Sequence, residues 1–295
     1  GQVVVASYNS GGTRLDATRV QAQSVLDALY AASAKTQVLG VSYSGSVPTL
    51  KVWAPTAKSL SIRKYEDSST TTYTSHALGL DAASGVWSVT GAADWDRDFY
   101  LLDVEVYVPS ADTVLHNLVS DPYAVALSQD GAAAGDVRSQ FVNLADSNLK
   151  PAGWDALAKP ALANFEDITV YEMHVRDFSI NDGTVAAGDR GTYKAFTYDG
   201  TGPHPNTTLS DGMDHLLKLQ GAGLTHVHLL PAFDIASVTE PAAQRTEPTI
   251  PIAARDSDQQ QAAVAAAKAT DGFNWGYDPY HYGVPEGSYA TNPDG

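Results

Sequence analysis

The spacing of the apolar residues changes near Asp167, and this change constrains the fold more than any other feature of the sequence. Before it, apolar and polar residues alternate in short runs such as Leu50-Lys51-Val52-Trp53-Ala54, the pattern of strands with one buried face. After it, Ile168–Val175 and Thr225–Pro231 are typical of buried strands, and an amphipathic helical pattern lies between them. One chain therefore carries the patterns of two different architectures.

Residues 38–128 are predicted to form a β-sandwich. Turn signals at Gly45-Ser46, at Ser84-Gly85 and from Asp94 to Asp98 separate short alternating runs, at the spacing typical of sandwich domains. The last turn carries three alternating carboxylates, Asp94, Asp96 and Asp98. They are compatible with a calcium site or with a solvated hairpin tip.

Three tryptophans of this segment are large enough to stack on a sugar ring. Trp53 and Trp87 lie within strands, so we expect them to pack between the two sheets. Trp95 lies in a turn, which makes it the tryptophan that we expect to contact a ligand.

Two segments flank the predicted sandwich. Residues 1–37 are interpreted as the tail of an upstream domain followed by a connecting helix, because a strand at Val3–Ala6 and a turn precede a helical stripe that runs from Leu15 to Tyr30. Residues 129–164 are interpreted as a connector, with a surface loop at 131–135.

Residues 165–295 begin with a strand, a helix and a second strand. The helix is predicted over about 210–220, capped by Ser210 or Asp211 and ended by Gly221 to Gly223. A strand, a helix and a strand in this order predict a parallel β-α-β unit.

The run from Phe273 to Tyr289 sets four tyrosines and one tryptophan among glycines and prolines. Pro279 and Pro285 interrupt any long strand, so the run predicts a loop that holds flat rings in fixed places. Such rings suit a sugar, whose faces are apolar and whose rim is hydroxylic. The alternative is a loop whose rings only pack against their own domain.

Three motifs resemble those of known families. Asn274–Pro279 resembles the YNWGYDP signature of type I pullulanases, which are debranching enzymes of glycoside hydrolase family 13, with Phe273 in place of the first tyrosine. Val52–Ala57 resembles the WAP motif of the family 48 carbohydrate-binding module. Gly223–Pro231 resembles the second-strand motif of the α-amylase superfamily. The resemblance implies a multidomain chain, with a β-sandwich module followed by the first β-α-β part of a (β/α)8 TIM barrel.

The resemblance also implies hydrolysis of α-1,6-glucosidic branch linkages in pullulan, amylopectin and limit dextrins, with retention through two carboxyl groups. In that family the three catalytic carboxylates follow strands four, five and seven of the barrel. We therefore expect them beyond Gly295, and we expect this segment to be inactive without the remainder of the barrel. The alternatives are an isoamylase or branching-type relative, and a noncatalytic glycan-binding fragment.

By the same resemblance, the aromatic run supplies substrate-binding residues. Tyr277 is expected to stack under the glucose at the cleavage site, and Asp278 to support the site through hydrogen bonds. Asn274 and Trp275 are expected to shape the loop and contact glucan, and His281 is included as a residue that touches the site.

We expect no metal ligand, no required cofactor and no membrane span. His174, His226 and His228 lie on adjoining strands, but hydrogen-bonded strand histidines fit a fold that needs no transition metal. The net charge of -16 excludes nucleic acid and anionic membranes as partners, because both would repel the chain. With no cysteine, the acidic chain suits a secreted bacterial enzyme, with a cytoplasmic location as the alternative.

Overall fold

The computed structural model describes residues 4–19, 23–108, 110–129, 137–201 and 208–295. The surface loop predicted at 131–135 lies outside these ranges. The chain divides into two compact units, Gly1–Asn143 together with Gly295, and Leu144–Asp294. Within the described ranges, the helices lack either the length or the apolar character that crossing a membrane requires.

The first unit opens with a β-hairpin and a helix. Strand β1 (Val4–Tyr8) pairs antiparallel with β2 (Arg14–Arg19), and helix α1 (Gln23–Ala34) follows. The helical stripe predicted from Leu15 was therefore wrong as far as Arg19. The reason lies in the turn, where the Asn9 side-chain oxygen accepts hydrogen bonds from the backbone N–H groups of Gly11 (3.0 Å) and Thr13 (2.9 Å), so the chain folds back into a hairpin.

The described residues of the remainder of this unit form nine strands in two antiparallel sheets. One sheet has the order β3-β4-β8-β7, and the other has the order β10-β9-β5-β6, with β11 also paired to β9. The strands are β3 (Gly40–Ser44), β4 (Val47–Trp53), β5 (Ser59–Tyr65), β6 (Thr74–Ala77), β7 (Gly79–Asp81), β8 (Val86–Thr90), β9 (Phe99–Val108), β10 (Thr113–Val119) and β11 (Ser139–Gln140).

Both sheets contribute to one hydrophobic core. Leu50 of β4 and Ile62 of β5 are fully buried in the same cluster, because alternate residues of a strand point to opposite faces of its sheet. Trp87 lies in this cluster, as predicted. Trp53 does not: it is 37% exposed, its ring meets Tyr30 of α1 edge-on at 6.5 Å, and its indole N–H donates to the Ser84 carbonyl (3.0 Å).

The second unit contains the predicted β-α-β element. Strands β12 (Val170–Met173) and β13 (His226–Leu229) pair in parallel, and helix α2 (Asp211–Gly221) connects them. The Ser210 hydroxyl caps the helix by accepting from the Met213 N–H (3.2 Å). Val170 and Val227 are exposed, whereas Met173 and Val175 are buried, so the prediction of buried strands was wrong except where β12 ends. Parallel strands are buried when other elements cover both faces, and this sheet has two strands among the described residues.

About half of the aromatic run forms a strand. Strand β14 (Phe233–Ile235) pairs antiparallel with β15 (Pro279–Pro285), and helix α3 (Gln259–Ala267) lies between them in sequence. The prediction of a loop was therefore wrong from Pro279 onward. The two prolines occupy the first and last positions of β15, where a missing N–H donor is tolerated. No closed barrel is present in the described part of the chain.

Candidate functional site

A tight turn displays the first rings of the aromatic run. The Asn274 side-chain oxygen accepts from the Gly276 N–H (2.7 Å), and Gly276 has φ +84, a conformation that favours glycine. A Cβ at Gly276 would lie 2.8 Å from Pro231 Cβ and 3.1 Å from its carbonyl oxygen. The turn leaves the side chains on either side of it in solvent, with Trp275 61% exposed and Tyr277 72% exposed.

His174 ties this turn to the end of β12. Its Nδ1 accepts from the Arg176 backbone N–H (3.1 Å), so in the neutral ring the proton is on Nε2. Nε2 lies 2.7 Å from the Asn274 carbonyl, to which it donates, and 3.0 Å from the Tyr289 hydroxyl. Phe273 stacks on the same imidazole at 5.5 Å. The ring of Phe273 thus packs at this position without the hydroxyl that the resembling signature carries.

Asp278 is held by a polar network from another segment. The Ser237 hydroxyl donates to Asp278 Oδ2, and the Asn274 amide donates to the Ser237 oxygen (2.5 Å). The Asp278 carbonyl accepts from the Ala236 N–H (3.2 Å). The other carboxylate oxygen of Asp278, Oδ1, is buried and has no partner in the part of the chain that the structure describes. The network fixes the backbone on both sides of Tyr277.

No local pattern in the sequence indicates Ser237, because it lies 37 residues before Asn274. Only the pairing of β14 with β15 brings the two segments together.

His281 is enclosed and does not join the exposed rings. It is 4% exposed, and its Nδ1 lies 2.7 Å from Asp234 Oδ2, directly across the ladder between β14 and β15. The prediction that His281 touches the site is at odds with this burial, because the imidazole lies against Asp234 within the strand pair. Its neighbours Tyr280 and Tyr282 point outward and are exposed, as the alternation of a strand requires.

The residues that follow β15 are buried and anchor the end of the aromatic run in the interior. Glu286 is fully buried and accepts from the N–H groups of Ile235 and Ser288, both at 2.8 Å. Burial raises the pKa of its carboxyl, although the hydrogen bonds oppose that shift. Burial likewise raises the pKa of the Tyr289 hydroxyl. These buried groups form the fixed base under the exposed rings.

We define the aromatic surface as the four exposed rings of Trp275, Tyr277, Tyr280 and Tyr282. Four large rings in solvent within one short segment are more than scattered surface apolar residues. Rings of this kind can stack on the apolar faces of sugars while their polar edges remain in water.

A cavity of about 450 Å³ opens beside Trp275. Its lining combines rings with polar groups, among them His174, Glu172 and Asp177. Asp177 accepts from Arg176 (3.1 Å), and Glu172 lies 3.0 Å from His228 Nδ1. Volume and lining fall within the range of small-molecule sites.

Trp95 belongs to the core of the first unit, and the prediction that it contacts a ligand is at odds with its burial. It is 7% exposed, its ring lies 5.4 Å from Phe141 and 4.6 Å from His76, and a Cβ at Gly91 would lie 2.3 Å from Trp95 Cε3. A short 3-10 turn, Ala93–Trp95, directs the indole inward.

The aspartates beside Trp95 face protein groups. Asp96 accepts from the Tyr43 hydroxyl (3.0 Å), and Asp98 pairs with Lys64. Over the described ranges, no cluster of three or more His, Cys, Asp or Glu side chains is arranged to hold a metal ion. His226 instead contacts the Thr225 hydroxyl (2.9 Å).

Comparison with known proteins places this geometry in context. Residues 38–124 match the model of the family described as Carbohydrate-binding module 48 (Isoamylase N-terminal domain). The whole chain is 38% identical to Pullulanase 1, chloroplastic, of Arabidopsis thaliana and 35% identical to a pullulanase of Klebsiella pneumoniae, in each case over 29% of the relative.

Solved structures agree with these relatives. The crystal structure of PulA from Klebsiella oxytoca matches 100% of this chain and 30% of its own, with a TM-score of 0.85 and 34% identity. A Klebsiella pneumoniae pullulanase complexed with maltotriose matches 100% of this chain and 30% of its own, with a TM-score of 0.83 and 35% identity. The chain thus spans about 30% of the length of these proteins. Residues 38–124 are therefore similar to carbohydrate-binding module 48, and the chain as a whole is similar to a segment of these pullulanases.

Proposed function

We propose that this chain is part of a pullulanase-type hydrolase that cleaves α-1,6-glucosidic branch linkages in pullulan, amylopectin and limit dextrins. The observation that carries the proposal is the exposed Tyr277 ring, fixed by the Gly276 turn and the Ser237 network, in a chain homologous to pullulanases along its whole length. Identity to pullulanases from a plant and a bacterium favours this activity over that of an isoamylase or branching enzyme.

In this proposal the chain binds and orients glucan. Tyr277 stacks under the glucosyl unit at the cleavage site, and its ring face favours the flattened, positively charged sugar of the transition state. Asp278 has a carboxylate oxygen with no partner among the residues that the structure describes, and it supports the site through hydrogen bonds. Trp275 extends the surface toward the 450 Å³ cavity. A relative of this chain has been solved with maltotriose bound, which supports an α-glucan as the ligand.

The chemical step is assigned to carboxyl groups outside this chain. A retaining glycosidase needs a nucleophile and an acid/base whose carboxyl groups are about 5–5.5 Å apart. Residues 165–295 would contribute the first β-α-β part of the catalytic barrel, and residues 129–164 would connect it to the sandwich module at 38–128. Residues 1–37 would be the end of an upstream domain.

Binding of maltotriose to the purified chain tests the role of the aromatic surface. Isothermal titration calorimetry should show saturable binding that Tyr277→Ala weakens about tenfold or more, since a stacked ring contributes on the order of 1–3 kcal/mol. Tyr8→Ala is the matched control, because Tyr8 is a tyrosine of the first unit that is also largely exposed (60%, against 72% for Tyr277). Equal affinity in the wild type and in Tyr277→Ala would remove the stacking role.

Activity requires a separate measurement. The polypeptide that contains this chain together with the proposed catalytic carboxylates should release reducing ends from pullulan, and Tyr277→Ala should lower kcat/KM. Maltotriose binding without any pullulan hydrolysis would leave the glycan-binding fragment as the function.

The proposal also covers where the protein is located and whether it needs a cofactor. The protein is exported from a bacterial cell, in keeping with its acidic, cysteine-free composition, and fractionation of the host would test this. Activity requires no cofactor and tolerates calcium as an optional ligand, so EDTA should leave the hydrolysis of pullulan measurable.

A further inference from the structure

A second cavity of the Leu144–Asp294 unit has a different chemistry. Its volume is about 310 Å³, and it is lined by three arginines, one carboxylate and several small or hydroxylic residues. The arginines are Arg176, Arg190 and Arg245, and the carboxylate is Glu247. No aromatic residue is among the described residues that line it. We call it the arginine cavity.

The arginine cavity concentrates positive charge in an acidic protein. Three guanidinium groups face one lining carboxylate, whereas the chain as a whole has a net charge of -16. Arg176 pairs with Glu247 (2.7 Å) and with Asp177 (3.1 Å). Like charges gathered in a concave site attract an anion.

The other two arginines bond to backbone carbonyls. Arg190 donates to the carbonyls of Val185 (2.9 Å) and Gly183 (3.3 Å). Arg245 donates to those of Glu240 (3.0 Å) and Ser288 (3.3 Å). Both arginines thus bond to carbonyl oxygens, while the charges of three carboxylates, Glu240, Glu247 and Glu286, act on Arg245 from nearby.

Two polar atoms of the lining residues lack partners. Arg245 Nε and Ser288 Oγ are both buried and form no hydrogen bond to the described residues, and Ser288 is only 2% exposed. A buried donor without an acceptor costs about 1–3 kcal/mol, and such groups are rare in folded proteins. A ligand with acceptor oxygens would satisfy both.

The electrostatics around Arg245 are mixed. Burial lowers the pKa of its guanidinium and the nearby charge of Arg176 adds to that shift, whereas Glu247, Glu286 and Glu240 act in the opposite direction. An anion beside Arg245 would relieve its repulsion with Arg176. The geometry and the unpartnered atoms thus favour the same kind of occupant.

We propose that the arginine cavity binds a phosphoryl group, either as inorganic phosphate or as a phosphate ester on a sugar. Guanidinium groups bind phosphate oxygens through paired N–H donors, and the Ser288 hydroxyl can donate to a third oxygen. A neutral sugar is less suited, because sugar sites use aromatic rings and this cavity has none among its described lining residues. The volume of about 310 Å³ leaves room for a hexose attached to the phosphate. The inference does not depend on the proposed hydrolase activity.

Calorimetric titration of the full 295-residue chain with inorganic phosphate, glucose 6-phosphate and glucose tests this site. Both phosphates should bind saturably, glucose should not, and added sodium chloride should weaken binding. If glucose 6-phosphate binds more tightly than inorganic phosphate, the ligand is the phosphate ester. If the two bind with equal affinity, inorganic phosphate is sufficient as the ligand.

Three variants test whether phosphate binds in the arginine cavity. Arg245→Gln should weaken phosphate binding about tenfold or more, and Ser288→Ala should weaken it several-fold. Because Ser288 Oγ is buried and has no partner among the described residues, its removal should not lower the melting temperature, which keeps the test valid if Arg245→Gln fails to fold. Arg255→Gln is the matched control, an exposed arginine of the same unit, and should bind like the wild type. The proposal is overturned by absent saturable binding, by unchanged affinity in Ser288→Ala and Arg245→Gln, or by glucose binding as tightly as its phosphate.

Discussion

Replacing Gly276 by alanine tests whether the turn that displays Tyr277 depends on a close backbone approach. The added Cβ would meet Pro231 Cβ at 2.8 Å, in a residue whose φ is +84. A side chain at such a φ costs roughly 1–2 kcal/mol, and forcing an extra methyl into packed atoms costs roughly 1–3 kcal/mol. Gly276→Ala should therefore lower the free energy of unfolding by about 2–5 kcal/mol, or displace the turn.

A second glycine separates the two contributions. Gly153 has φ +83, almost the same conformation, but a Cβ there would meet nothing within 4 Å. Gly153→Ala should thus cost only the conformational part, about 1–2 kcal/mol. Urea unfolding followed by circular dichroism measures both variants, and hydrogen exchange of residues 273–282 shows whether the turn has opened. If Gly276→Ala costs no more than Gly153→Ala and exchange is unchanged, the close approach to Pro231 is refuted.

Three further perturbations follow from the structure. Trp95→Ala should lower the free energy of unfolding by about 3–5 kcal/mol, as for a buried tryptophan, and leave retention in amylopectin gels unchanged; reduced retention at unchanged stability would contradict its core position. Ser237→Ala removes the donor to Asp278 Oδ2 and should weaken maltotriose binding, with Ser237→Thr restoring it; equal affinity in all three proteins would show that the network is not needed. Glu286 has a pKa raised by burial above its ordinary 4.5, so its stabilising contribution is complete below that value and is lost as the pH rises through the higher folded pKa. Unfolding free energies measured against pH should show this loss in the wild type and not in Glu286→Gln, and parallel curves would rule it out.

Period-two alternation was sufficient to predict the sheets of the first unit. Burial of one face of β4 follows from Leu50 and Val52 alone. The alternation could not predict that Trp53 contacts a helix. That contact comes from α1, which belongs to a different segment of the chain. Trp95 was misplaced for a related reason: a turn residue is normally exposed, but a 3-10 turn directs this indole into the core.

The candidate site was predictable only where its residues are contiguous. Asn274 to Asp278 form a local motif, and the turn at Gly276 follows from its sequence. Ser237 and the arginine cavity depend on contacts between segments far apart in the chain, which no local pattern encodes. The strand at 279–285 was missed because proline usually ends strands, yet both prolines stand at its termini.

The hydrogen bonds of His174 set an order of events during synthesis. Its partners Asn274 and Tyr289 lie 100 and 115 residues later in the chain. At about 5–20 residues per second, a ribosome needs roughly 5–20 s to add 100 residues. During those seconds His174 has been synthesised, but its partners in the loop have not. The chain must then bring the two ends of this long segment together before the aromatic rings reach their places. The part of the molecule proposed to meet the ligand thus assembles only after segments 100 and more residues apart have been joined.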